Sequence, residues 1–120
     1  MLLSTLKALD PVSARADLLQ GSLDLLILKS LALGPLHGWA ISKRINQLSS
    51  DVLQVNQGSL YPALYRLEDR AWIAAAWDKS PEGRDVKVYR LTPAGRRQLA
   101  DERKEWRLFT GAVDRVLRAT

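Results

Sequence analysis

With 120 residues, 47% of them hydrophobic and 26% charged, the chain has the size and balance of one compact domain. Eighteen Lys and Arg against 13 Asp and Glu leave a net charge of +5 and a pI near 9.9, which favours an acidic partner such as nucleic acid or an anionic membrane surface. The lack of cysteine excludes disulfides, thiolate metal sites and cysteine nucleophiles, and it fits a reducing compartment.

The start, Met1-Leu2-Leu3-Ser4-Thr5-Leu6-Lys7, has no basic segment followed by a sustained apolar run, so no secretory signal is expected and the protein is read as cytoplasmic. Residues 1–17 are read as an N-terminal extension. Leu3, Leu6 and Leu9 recur every three residues there, as either a short helix ending before Asp10-Pro11 or a frayed terminus. The first firm helix is predicted over Leu18 to Leu33. Asp24 and Lys29 interrupt its apolar run, and its 16 residues fall short of the roughly 20 that span a bilayer, so it is read as a core or interface helix and not a membrane span. Gly34-Pro35 stops it. A second helix follows from about His37 to Leu48, with Trp39, Ile41, Ile45 and Leu48 apolar and Ser42, Lys43, Arg44, Asn46 and Gln47 wet.

After a short connection, Asn56 offers an N-cap for a third helix over Gln57 to Arg70. Leu60, Leu64 and Leu67 fall at i, i+4 and i+7 and form one apolar stripe. Gly58, Ser59, Pro62 and Arg66 lie on the far side of the wheel. Gly58 and Ser59 leave the N-terminal half thin, and that half of a DNA-reading helix is the part that meets base edges. Pro62 is awkward at the sixth position, where it either kinks the helix or starts a fresh turn.

From Ile73 the period changes. Ile73 to Asp78 and Val86 to Leu91 are strand-favouring runs around the polar segment Lys79-Ser80-Pro81-Glu82-Gly83-Arg84-Asp85, a β-hairpin with a long loop. Thr92-Pro93 then supplies an N-cap and a first-turn proline for the last helix. Leu99, Trp106 and Val113 repeat at seven, with Leu117, Leu108, Phe109 and Val116 beside them. This heptad-like seam has too little of so small a domain to pack on, and a second copy is its natural cover. The fold class expected is mainly α with a small β-hairpin (α+β). It is a winged helix-turn-helix over residues 18–91 with a C-terminal dimerisation helix over residues 92–120.

Four segments carry a family resemblance: Leu19-Gln20-Gly21-Ser22-Leu23-Asp24-Leu25-Leu26-Ile27-Leu28, Gly34-Pro35-Leu36-His37-Gly38, Gly58-Ser59-Leu60-Tyr61-Pro62-Ala63-Leu64 and Tyr89-Arg90-Leu91-Thr92-Pro93-Ala94-Gly95. In this order the chain resembles the PadR family of transcriptional regulators, in particular its short subfamily, over about residues 18 to 110. The resemblance implies a homodimeric winged-helix DNA-binding protein, commonly a repressor, with the third helix in the major groove and the hairpin on backbone or minor groove. It also implies a small aromatic effector in some members, held between subunits against a tryptophan of the last helix, where this chain has Trp106. Two departures stand out. Ala71 replaces a usual glycine at the exit of the third helix, followed by Trp72 in place of Leu or Ile, so the exit and the aim of the wing are expected to differ. Glu82 and Asp85 dilute the basic wing.

Candidate DNA contacts are Gln57, Ser59, Tyr61, Tyr65 and Arg66 on the third helix and Lys79, Arg84 and Lys87 on the wing. Gln pairs bidentately with adenine and Arg with guanine, while hydroxyls and ammonium groups take phosphate. Tyr61 is read either as a contact or as a packed ring. Lys43 and Arg44 of the second helix are read as a solvated face or as further contacts to the DNA backbone. Leu99, Trp106, Phe109, Val113 and Leu117 are the candidate dimer interface, with Trp106 read as packing or as a ligand platform. His37 is a lone histidine without other nitrogen or sulfur ligands nearby, so it is read as packed or capping and no metal is expected. Nothing in the sequence resembles a catalytic constellation, a phosphate loop or a cofactor motif, so neither an enzyme nor a cofactor is expected. The partners expected are double-stranded operator DNA and a second copy, and no membrane. The rival reading is a winged-helix interaction module without specific DNA binding.

Overall fold

The computed structural model describes the backbone of residues 11–120 and the side chains from residue 22 onward. Helix α1 spans Pro11–Ala32, strand β1 Leu36–His37, helix α2 Gly38–Leu48, helix α3 Gln57–Asp69, strands β2 Ile73–Lys79 and β3 Asp85–Leu91, and helix α4 Pro93–Arg118. The fold is the expected winged helix-turn-helix followed by a long helix. Helix α1 starts earlier than the predicted Leu18, and Pro11 suits the first position of a helix because its missing N–H has no partner to lose there. The readings of Leu3, Leu6 and Leu9 lie outside the described residues.

One core joins the four helices and the sheet. Leu23, Ile27, Leu28 and Leu31 of α1 meet Ile41 and Ile45 of α2, Leu60, Ala63, Leu64 and Leu67 of α3, and Ile73, Tyr89 and Leu99. The predicted stripe of α3 is therefore its buried face. The polar turn between α2 and α3 is tied down locally. Ser50 and Asp51 take left-handed conformations (φ 53° and 68°). Around them, the Leu53 N–H donates to Ser49 Oγ (2.9 Å) and Asn46 Nδ2 donates to the Leu53 carbonyl (3.3 Å). These bonds hold Leu53 and Val55 against the core and set α3 across α2.

The sheet has three strands and not the two of a simple hairpin. Its order is β1-β3-β2, all antiparallel, with Leu36 opposite Tyr89 and His37 opposite Val88. In the hairpin, Ile73 faces Leu91, Trp77 faces Lys87 and Lys79 faces Asp85.

Ala71 leaves α3 in the left-handed conformation, φ 60°. The Trp72 N–H donates to the Leu67 carbonyl (3.0 Å) and the Ala71 N–H to the Glu68 carbonyl (2.9 Å). This pair of bonds is the helix ending that glycine normally serves. The altered exit expected from Ala71 is thus not observed: the chain keeps the turn and accepts the Cβ strain. Glycine at this position should stabilise the fold by about 1 kcal/mol, the left-handed cost of a Cβ. Urea unfolding of Ala71→Gly checks this, and a midpoint at or below that of the unaltered protein would refute it.

Candidate nucleic-acid interface

Asn56 caps α3: its side-chain oxygen accepts from the Ser59 N–H at 2.8 Å and its carbonyl accepts from the Leu60 N–H at 3.0 Å. With Leu60, Ala63, Leu64 and Leu67 inside, the outermost line of the helix runs through Gly58, Pro62, Tyr65 and Asp69, all exposed. Helix α3 is continuous through Pro62. Pro62 neither breaks it nor begins it, because the helix has already started at Gln57. In a helix interior proline costs about 3 kcal/mol and glycine about 1 kcal/mol relative to alanine. A Cβ on Gly58 would meet only the Asn56 side-chain oxygen, at 3.2 Å. Both helix-weakening residues thus lie on the face pointing away from the core.

The other α3 candidates divide between the two flanks of that line. Gln57 is exposed and Ser59 half-buried. Tyr61 is 37% exposed, and its ring covers Gly38 at the start of α2, where a Cβ would meet Tyr61 Cε1 at 3.1 Å. Packing therefore accounts for one side of its ring, and the other is open. Tyr65 is free on the surface, with Lys87 Nζ 5.9 Å from its ring centre. Arg66 reaches back to α1, where its Nη2 donates to Asp24 Oδ1 at 2.9 Å.

The wing is the β2–β3 hairpin with its tip at Ser80–Arg84. Gly83 turns the tip at φ 81°, the Ser80 N–H donates to the Arg84 carbonyl (2.8 Å) and the Gly83 N–H to the Ser80 carbonyl (2.8 Å). Lys79 pairs with Asp85 at the base of this loop. Lys87 donates to Glu68 of α3 at 3.3 Å and also lies 5.5 Å from the ring centre of Tyr89. Burial pulls the Lys87 pKa down, but the hydrogen bond to Glu68 and the nearby tyrosines outweigh it, and the pKa ends above the ordinary lysine value. Three candidate cations, Arg66, Lys79 and Lys87, thus carry carboxylate partners, while Arg84 makes no side-chain ion pair among the described residues.

Two aromatic features escaped the sequence reading. Trp77 stands 72% exposed on the wing, directly across from Lys87 and hence on the sheet face that looks toward α3. Trp39 stacks on His37 (6.0 Å, 8° between planes), with Lys43 Nζ 4.8 Å above its ring. His37 thus precedes α2 without a side-chain capping bond and serves as packing for Trp39. Trp39 and Leu48 were expected on the apolar face of α2 with Ile41 and Ile45, but only the two isoleucines are buried and both Trp39 and Leu48 stand exposed.

Helix α4 is fastened to the end of α3. Thr92 Oγ1 donates to the Ala71 carbonyl (2.7 Å) and accepts from the Gly95 N–H (3.0 Å), while the Thr92 N–H donates to the Trp72 carbonyl (3.1 Å). Leu99, expected on the seam, is 8% exposed and belongs to the core of its own chain. Near the start of α4, burial pushes the Glu102 carboxyl pKa up against a 3.0 Å hydrogen bond from Gln98, with Asp24 adding to the rise. Farther along, Trp106 (44%), Phe109 (62%), Val113 (38%) and Leu117 (74%) stay exposed, and the Trp106 and Phe109 rings lie 6.1 Å apart. Among the described residues no group of side chains could hold a metal ion, and no helix is long and apolar enough to cross a membrane.

A protein-family model described as the transcriptional regulator PadR-like family matches residues 27–101. A transcriptional regulator of Mycobacterium tuberculosis is 36% identical over 78 residues, 65% of this chain and 69% of that protein. Among solved structures, a transcriptional regulator from Clostridium thermocellum superposes with a TM-score of 0.76 at 27% identity, over 82% of this chain and 96% of that one. A PadR family transcriptional regulator from Eggerthella lenta gives a TM-score of 0.74 at 29% identity, over 92% and 96% of the two chains.

Proposed function

Since this chain belongs to the PadR-like family of transcriptional regulators, we propose that it acts as a homodimer that binds a roughly palindromic operator and represses transcription. In this reading α3 of each subunit enters one of two successive major grooves, about 34–36 Å apart. Gln57, Ser59, Tyr61, Tyr65 and Arg66 face the groove, and Lys79, Arg84 and Lys87 face the phosphates. The observation that carries the reading is the outer face of α3, which gives up helix stability at Gly58 and Pro62 on the line pointing away from the core.

Dimerisation runs through the exposed apolar side chains of α4, and a planar aromatic effector beside Trp106 changes the angle between the two reading heads and releases the DNA. Titrating planar aromatic compounds tests the effector: Trp106 fluorescence is quenched if they lodge there, and a dry interface gives no response.

The rival interaction-module reading draws on one observation, the carboxylate partners of Arg66, Lys79 and Lys87. Anisotropy titration separates the two, using the duplex upstream of the protein's own gene and a scrambled duplex. A regulator binds the first more tightly, and its affinity falls with salt with a slope of about 0.9 per phosphate contacted. Arg66→Ala should weaken specific binding by roughly tenfold or more and relax discrimination at one base pair. Equal weak binding to both duplexes would overturn the reading.

A further inference from the structure

Pro62 and Gly58 lie four residues apart on the outermost line of α3. In an α-helix the carbonyl of residue 58 takes its hydrogen bond from the N–H of residue 62. Proline has no N–H, so the Gly58 carbonyl is left without its helical donor, in the half of the helix that meets base edges. We propose that this carbonyl oxygen is a specificity-determining acceptor that reads an exocyclic amino group in the major groove. The inference rests on the DNA-binding reading above and assigns a role to a backbone atom that no side-chain inventory includes.

The chemistry narrows the partner. A carbonyl only accepts, and the major groove presents only two donors, the N4 amino group of cytosine and the N6 amino group of adenine. Guanine and thymine offer acceptors at the corresponding edge and are rejected by lone-pair repulsion. Glycine at position 58 is what lets the groove floor approach: a Cβ there would meet nothing in the protein except the Asn56 side-chain oxygen, so it would stand in the way mainly of something outside. The proline is not explained as a helix start, because Asn56 already caps the helix and Gln57 already lies inside it. Nor is it explained by the core, since it is exposed. A motif that looks like two local defects becomes one acceptor, freed of its helical donor by the proline and bordered by a glycine with no side chain to hold the groove floor off.

The test uses the duplex that the unaltered protein selects from random sequence. Pro62→Ala returns the N–H and closes the bond to the Gly58 carbonyl. The variant should melt at a higher temperature, bind scrambled duplex as before, and bind the selected duplex about tenfold more weakly, the order expected for one lost hydrogen bond. Adenines and cytosines are then replaced singly by analogues lacking the exocyclic amine. One position per half-site should cost the unaltered protein the same factor and cost Pro62→Ala nothing. Whether that position is an adenine or a cytosine identifies the amine read. Gly58→Ala, which keeps the proline but adds a methyl where the groove floor must approach, should lose affinity at the same position. The inference is overturned if Pro62→Ala binds the selected duplex as tightly as the unaltered protein, or if no amine position separates the two. If the unaltered protein selects no duplex at all, the DNA-binding reading itself falls, which is a different result from either.

Discussion

Replacing Gly95 by alanine is expected to cost about 3 kcal/mol or more, a large part of the roughly 5–15 kcal/mol that holds a domain of this size together. A Cβ there would sit 2.0 Å from the Trp72 carbonyl oxygen and 2.6 Å from Leu91 Cδ1. Neither side can easily move. The Trp72 carbonyl accepts from the Thr92 N–H, and the Trp72 N–H closes the end of α3 on the Leu67 carbonyl. The Gly95 N–H is itself spent on Thr92 Oγ1. Relief therefore requires breaking the joint between α3 and α4. The thermal midpoint should fall by roughly 12–24 °C, at about 4–8 °C per kcal/mol. Gly111 is the control: a Cβ there meets only the end of Arg115, at 3.7 Å, so Gly111→Ala should leave the fold intact and slightly stiffer. A Gly95→Ala protein melting within a few degrees of the original would contradict this account.

The second large effect concerns assembly. Trp106 and Phe109 remain well exposed, so replacing both with serine should leave the fold and its helix content unchanged. In the proposed dimer each substitution acts twice across the two-fold axis, and each large side chain forfeits about 2 kcal/mol of burial. The variant should sediment as a monomer. Specific DNA affinity should drop by about 10²–10⁴-fold, because the second half-site no longer binds as part of the same particle. A doubly substituted protein that stays dimeric would place the interface elsewhere.

The parts of this fold that were legible in the sequence are those decided by neighbouring residues. Asn56 and Thr92 cap the helices they were expected to cap. The hairpin strands differ from their predicted ranges by one residue each at the loop end. What was not legible depends on distant partners. Strand β1 has only two residues and exists because β3 offers it an edge some fifty residues later, so no local period marks it. The ion pair of Arg66 with Asp24 spans 42 positions and is formed by two helices crossing, not by spacing. At Ala71 a local preference was overridden: the contacts formed by the turn hold an alanine where the backbone alone would ask for glycine. In the candidate site, the wheel of α3 placed Gly58 and Pro62 on the outward line, but Ser59 and Arg66, expected beside them, lie on its flanks, and Tyr65 and Asp69 complete the line. Which cations on that surface already had carboxylate partners required the folded chain.

The clasp at Thr92 has a mechanical consequence. It joins the far end of α3 to the near end of a 26-residue helix, roughly 39 Å long at 1.5 Å per residue. In a dimer held at the seam, each subunit then behaves as one arm of a caliper, pivoting at Trp106 and measuring with α3. Trp106 lies 13 residues from the start of α4, about 20 Å at 1.5 Å per residue, so a tilt of roughly 10° at such a pivot displaces the α3 end of the helix by about 3.4 Å, the rise of one base pair. Because the joint is made of backbone and one hydroxyl, with Gly95 closing the gap, little of that tilt would be absorbed as bending on the way. A small adjustment at the pivot is therefore enough to put the two tips one base pair out of register with the spacing they are set to span.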